Sequence, residues 1–306
     1  MTGTIKNQAA EDFSRARARE FFQRIMHFLD HDKITLLSLD DVKRILRPKS
    51  ETYRGMRAVP IRLIVGSEGR YRDFNKYFLP KSDHLRPRWE RIDEARLSDI
   101  TLPPIQLYEI GGVYFVRDGN HRVSVAKTQG IENVDAEVIS LSTEISISPS
   151  MTVDDLRKAL VAYEKKEFCQ KTEFEKITGC GSLDFTIPGR YDVIYNHILV
   201  HKYFLNQEQS GEIPFGEALS SWYNNVYTPI VDIIIKENLC GQFPGRTPSD
   251  LYVWIVKRWD LLKKKYGHYS ILDAARDFGD RYGIVPRKLP ALILSLVKGI
   301  FGKRRR

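Results

Sequence analysis

The feature that most narrows what this chain can fold into lies between residues 105 and 139. Two short apolar runs, Ile105-Gln106-Leu107-Tyr108-Glu109-Ile110 and Val113-Tyr114-Phe115-Val116, are separated only by Gly111-Gly112. A Gly-Gly pair between alternating strands is a strong local signal for a β-hairpin, because tight hairpin turns need positive φ at both central positions. The second run leads into Asp118-Gly119, and the pattern behind it predicts a helix from Asn120 to Gly130. Val134 to Ile139 then reads as a closing strand. Upstream, Pro60 to Val65 (PIRLIV) is apolar, short and ends on Gly66, which also predicts a strand. A helix is expected around Trp89 to Asp99. The order strand, helix, hairpin, helix, strand is that of a compact α+β unit.

The flanks read differently. Phe13, Ala18, Phe21, Phe22, Ile25, Met26 and Leu29 recur at helical spacing and predict an amphipathic helix over 12–29. Ser38 and Asp41 suggest a capping box for a short helix that Pro48 stops. Ser140 to Ser150 is serine-rich, ends near Pro149 and reads as a linker. Beyond it the chain reads helical, with start signals at Thr152, at Thr247-Pro248-Ser249-Asp250 and at Ser270. The organisation expected is therefore a helical lead-in (1–57), a small mixed α/β domain (58–141), a linker (142–150) and a helical domain with a basic tail (151–306).

The sequence Asp118-Gly119-Asn120-His121-Arg122 carries the chemistry. A glycine between strand and helix lets the backbone turn sharply, and the first helical amides then point outward without intrahelical partners. That end of a helix binds phosphate. Arg122 is suited to two parallel bonds to phosphate oxygens, and His121 to donate to the same anion or act as acid or base. Asp118 would repel a phosphate unless a divalent ion or a substrate hydroxyl lies between them. A helix beginning behind Asp-Gly is also an ordinary turn with Asp as cap, and the flanking hairpin and closing strand are what favour phosphate binding.

This strand, box and helix resemble the signature of the ParB/sulfiredoxin superfamily. LPPIQLYEIGGVYFV is similar to its hairpin and NVDAEVI to its closing strand. Within it, ParB proteins carry a Gly-Glu-Arg-Arg version holding CTP, and sulfiredoxins a Gly-Gly-Cys-His-Arg version holding ATP. The free serine kinase type carries Asp-Gly-His-His-Arg, the version most like the box here. The resemblance implies a site at Gly119, Asn120, His121 and Arg122 for ATP, ADP or CTP with Mg2+, and catalytic roles for Asp118 and His121. Glu68, in Gly66-Ser67-Glu68-Gly69-Arg70, falls where the kinase type places an acidic catalytic residue. The residues themselves read Glu68, Arg70 and Arg72 as a solvated loop, while Arg86 and Arg88 suit either the surface or the phosphates. Asn120 replaces the sulfiredoxin cysteine, which excludes sulfinic-acid reduction. No helix-turn-helix follows with ParB spacing, which argues against a partition protein. Residues 190–266 resemble an uncharacterised helical domain found in bacterial proteins that also carry a ParB-like region.

Three function classes stay open at this level: a nucleotide-binding protein with phosphotransfer or hydrolysis, a non-enzymatic DNA-binding regulator, and a nuclease. The formal charge of +9 suits any polyanion. His197 and His201 have the i, i+4 spacing of a metal pair, with no third ligand in view. Trp222, Tyr223, Tyr227, Tyr252, Trp254 and Trp259 could stack bases, though at helical spacing such residues usually form core. Three cysteines at wide spacing, no apolar leader in MTGTIKNQAAEDF and no apolar run long enough to span a bilayer suggest a cytoplasmic protein.

Overall fold

A computed structural model of the 306-residue chain describes residues 2–27, 34–179, 183–207, 211–268 and 270–283. Cys180, the apolar run Leu289 to Phe301 and the basic end at 303–306 lie outside the described residues. The chain divides into two compact units, Met1–Tyr163 and Glu164–Arg306.

The first unit opens with helix α1 (Thr2–Met26), strand β1 (Leu37–Ser38) and helix α2 (Leu39–Leu46). Strands β2 (Glu51–Pro60) and β3 (Ile64–Ser67) follow, then α3 (Arg86–Leu97). The hairpin β4 (Ile105–Ile110) and β5 (Val113–Asp118) leads into α4 (Asn120–Thr128), β6 (Asn133–Leu141) and α5 (Val153–Thr172). The six strands form one mixed sheet in the order β1-β3-β5-β4-β6-β2. Pairs β4–β5 and β2–β6 are antiparallel; β1–β3, β3–β5 and β4–β6 are parallel.

Both faces of the sheet are covered, and the pleat sorts the side chains between them. Ile105, Leu107 and Val116 pack with Val123 and Ala126 of α4 on one face. Tyr108, Ile110, Val113 and Phe115 pack with Leu39 and Val42 of α2 and Leu156 of α5 on the other. At the hairpin turn Gly111 and Gly112 have φ of 61° and 88°, as the Gly-Gly pair requires.

Five expectations change. Residues 51–60 belong to a strand rather than a helical lead-in, and Pro60 to Val65 is a 3-10 turn (Ile61–Leu63) entering β3. β2 is an edge strand with mostly exposed side chains, so no apolar alternation announces it; its pairing with β6 holds it. Residues 142–150 do not form a free linker: Ile145 and Ile147 are buried, and the Ile147 amide donates to the Gly111 carbonyl at 2.8 Å. In α1 the buried stripe is Ala9, Phe13, Ala16 and Glu20, while Phe21, Phe22, Ile25 and Met26 are exposed. The ion pair of Glu20 with Arg17 (3.0 Å) and the bond from Arg17 to the Pro80 carbonyl (3.0 Å) select that stripe. Ser38 sits at the N-cap of α2 without a side-chain cap bond, and Asp41 pairs with Arg44 instead.

Between its loops the second unit is helical and shows no strand among its described residues: the end of α5 is followed by α6 (Phe174–Thr178), α7 (Arg190–Gln207), α8 (Phe215–Trp222), α9 (Thr228–Lys236), α10 (Leu239–Gln242), α11 (Pro248–Tyr266) and α12 (Ile271–Tyr282). A π-helical turn at Tyr223–Tyr227 joins α8 to α9. Thr247 and Asp250 form the full capping box of α11, and Ser270 caps α12. The chain is thus α+β, a mixed α/β unit followed by helices, as its pattern predicts. Among the described residues no helix is long and apolar enough to cross a membrane.

Candidate functional site

The turn from β5 into α4 is built around Gly119, whose φ is 104°. A Cβ there would meet Ile105 Cγ2 at 2.5 Å. Backbone conformation and space therefore both demand glycine. The first helical bond runs from the Val123 amide to the Gly119 carbonyl at 3.0 Å, so the amides of residues 120–122 precede the ladder. Gly119 offers them no side-chain acceptor. We expect Gly119→Ala to destabilise the first unit by about 2–5 kcal/mol, the sum of backbone strain and overpacking. Urea denaturation measures it, and wild-type stability in the variant would contradict this account of the turn.

Arg122 is engaged differently from the sequence expectation. Its guanidinium donates to the Pro103 carbonyl, to the Pro104 carbonyl at 2.9 Å, and to Asp118 Oδ2 at 2.5 Å. Five donors in a rigid fork suit this triple contact, which ties the loop before β4 to the end of β5. Arg122 is thereby a clamp on the turn rather than a free phosphate ligand. Asp118 is half-exposed and neutralised by the same pair, which accounts for a carboxylate at an otherwise positive helix end.

His121 and Asn120 face inward. His121 is 4% exposed and Asn120 7%. His121 meets the edge of the Phe74 ring at 5.4 Å between centroids. His121 Nε2 and Asn120 Oδ1 are buried and have no hydrogen-bond partner. Burial, then the positive charges of Arg70 and Arg88, lower the His121 pKa to about 4, with Asp73 opposing and His84 adding to the fall. The imidazole is therefore neutral at pH 7, not an acid or base poised near neutrality.

The segment opposite is fixed from several sides. Asn75 Oδ1 accepts from the amides of Tyr77 and Leu79, each at 3.0 Å. Ser124 Oγ of α4 donates to the Phe78 carbonyl at 2.6 Å and accepts from Trp89 Nε1 at 2.8 Å. Arg70 pairs with Asp73 at 3.1 Å. The charges of Arg70, Arg88 and His84 thus act on His121 in the first turn of α4, with Asp73 as the opposing charge. Sequence reading placed Arg70 in a solvated loop and left Arg88 open, since their approach to residue 121 spans tens of positions.

Glu68 sits at the end of β3, where its amide donates to the Val116 carbonyl at 2.9 Å. Burial and then the Glu68 charge raise the pKa of Tyr108, whose ring packs on the sheet face away from α4. No hydrogen bond or ion pair joins Asp118, His121 and Glu68 among the described residues. Nor do three His, Cys, Asp or Glu side chains there gather closely enough to hold a metal ion.

The other sequence candidates are structural. His197 Nδ1 lies 3.3 Å from the Tyr252 hydroxyl, and His201 Nε2 lies 3.0 Å from Ser221 Oγ. Trp222, Tyr227 and Tyr252 are buried and packed edge to face or tilted against one another, so these three are core, while Tyr223, Trp254 and Trp259 are half-buried.

Comparison with known proteins adds little to this geometry. No family model matches the chain, and no curated protein does. A solved structure, the C2221 form of a Pnob8-like ParB-N domain, aligns over 76% of this chain and 98% of its own. The sequence identity is 13% and the TM-score 0.21, which does not assign the chain to a family.

Proposed function

We propose that the N-terminus of α4 binds the phosphate of a nucleotide. The observation that carries this reading is the pair of buried, unpartnered polar atoms at the first turn, Asn120 Oδ1 and His121 Nε2, within the field of Arg70 and Arg88. Buried polar groups without partners are rare in folded proteins and call for a reason. A ligand at this turn supplies one: its phosphate meets the amides of residues 120–122 and the positive end of the helix, and its donors and acceptors complete the two side chains once these turn outward. Arg88, together with Arg70 once it leaves Asp73, then supplies the positive charge for the phosphate in place of Arg122.

Binding, rather than turnover, is what this arrangement supports. Phosphotransfer through Asp118 would require that carboxylate to leave Arg122, and His121 is too weakly basic to share the proton. The DNA-binding reading rests on the charge of +9, which any polyanion satisfies equally.

The test is a thermal-shift titration of the full chain with ATP, ADP, CTP and GTP, with and without magnesium. A nucleotide at 100 times its Kd adds about 2.7 kcal/mol of stability. We expect Arg70→Ala and Arg88→Ala each to weaken that binding by about 1.5–3 kcal/mol, the range for a charge-assisted hydrogen bond. Arg72→Ala should leave it unchanged. The proposal fails if no nucleotide stabilises the protein, or if the Arg70 and Arg88 variants bind as tightly as the parent chain.

A further inference from the structure

The opposite end of α4 borders a second concave site. A cavity of about 900 Å³ opens there, lined by residues of α1, the turn between β2 and β3, the segment around Lys76 and the chain after α4. That volume lies in the range of about 300–1,000 Å³ typical of small-molecule pockets. Its walls carry four cations, Arg19, Arg62, Lys76 and Lys127, against one carboxylate, Glu132. Ile61, Ile64, Leu79 and Ile131 make the apolar part of the lining.

The cations are poorly compensated by the protein itself. Lys127 Nζ donates to the Ile64 carbonyl at 2.8 Å and lies 4.7 Å from the centre of the Phe78 ring. Lys76 Nζ donates to the Ser150 carbonyl at 3.0 Å. Neither lysine pairs with a carboxylate among the described residues, and Arg19 and Arg62 have no ion-pair partner there either. Burial pulls the Lys127 amine down to a pKa of about 8 and lowers that of Lys76, against the opposing charge of Asp155. Like charges converging on a partly apolar hollow repel one another unless an anion enters.

We propose that this cavity is a binding site for a small amphiphilic anion, with an apolar or aromatic body and one phosphate, sulfonate or carboxylate group. The apolar lining takes the body and the cations take the head. The concave shape and apolar share of the wall suit a discrete small molecule better than a nucleic-acid backbone, which stays solvated. The inference is independent of the nucleotide reading: the two sites lie at opposite ends of α4 and share no residue named for either.

The probe is 8-anilinonaphthalene-1-sulfonate, an aromatic body bearing one sulfonate, titrated into the full chain by fluorescence. Saturable binding of one probe per chain, weakened at least tenfold by Arg62→Met and by Lys127→Met, is the expected result. Arg70→Ala, at the other end of α4, should not alter it. The neutral analogue N-phenyl-1-naphthylamine should bind at least tenfold more weakly. In a second measurement, reductive methylation of Lys127 is followed against pH by mass spectrometry. Its midpoint, expected near pH 8 in the free protein, should rise by at least one unit with bound probe, because an anion favours the ammonium form. Arg62 is an exposed side chain, so Arg62→Met keeps the test valid even if Lys127→Met folds poorly. Absence of saturable binding overturns the proposal. So does binding that survives both substitutions, equal affinity for the neutral analogue, or a Lys127 midpoint that the probe does not move.

Discussion

Asp93→Asn is expected to stabilise the first unit by up to about 3 kcal/mol at pH 8, and by almost nothing at pH 4. Asp93 is wholly buried between helices; its Oδ1 accepts from Gln129 Nε2, and its Oδ2 meets no donor but lies by the Asp12 carboxylate. Burial, reinforced by the negative charge of Asp12 on α1, raises its pKa from 3.8 to about 6. The folded state therefore holds this proton more tightly than the unfolded chain does. Stability from this group is fully present below pH 3.8 and is lost as pH rises through 6, roughly 2 units at about 1.4 kcal/mol each. Asparagine keeps an acceptor for Gln129, removes the buried charge, and turns a donor toward Asp12 where the orphan oxygen stood. Urea denaturation of both proteins from pH 4 to 8 measures the difference. A gain that does not grow with pH would show that Asp93 is not ionised at a cost in the folded protein.

His121 has the opposite sign. Its pKa falls from 6.5 in the unfolded chain to about 4 in the fold, so the unfolded state takes up the proton first. The stability tied to this group is fully present above pH 6.5 and is lost as pH drops through 4, again about 3 kcal/mol in all. Between pH 6 and 4 the two groups nearly cancel in the wild-type chain, and each single variant unmasks the other. His121→Gln should become more stable toward pH 4, whereas Asp93→Asn should become less stable over the same interval. A bound phosphate would also favour the imidazolium, so the His121 pKa, read by NMR, should rise when nucleotide is present. A His121→Gln protein with the wild-type pH profile would remove this linkage, and an unmoved His121 pKa in saturating nucleotide would place the ligand elsewhere.

The features that the sequence determined alone are those held by near neighbours in the chain. Gly111-Gly112 set the hairpin, and Asp118-Gly119 set the break where α4 begins, because positive φ at these positions is a property of glycine itself. Thr152, Thr247 and Ser270 start their helices through bonds to residues three positions on. Tertiary structure alone decided what depends on residues far apart. Glu51–Pro60 has no apolar alternation and becomes a strand only through β6. Arg122 has the chemistry of a phosphate ligand, but the carbonyls of Pro103 and Pro104 reach its guanidinium across eighteen or nineteen positions and make it a clamp. His121 has the chemistry of a neutral-pH acid or base, and it is neutral because folding buries it beside Phe74 in the field of Arg70 and Arg88. Local conformation follows from short-range sterics and hydrogen bonds that any stretch of the chain carries with it. Burial and electrostatic environment arise only when distant segments meet.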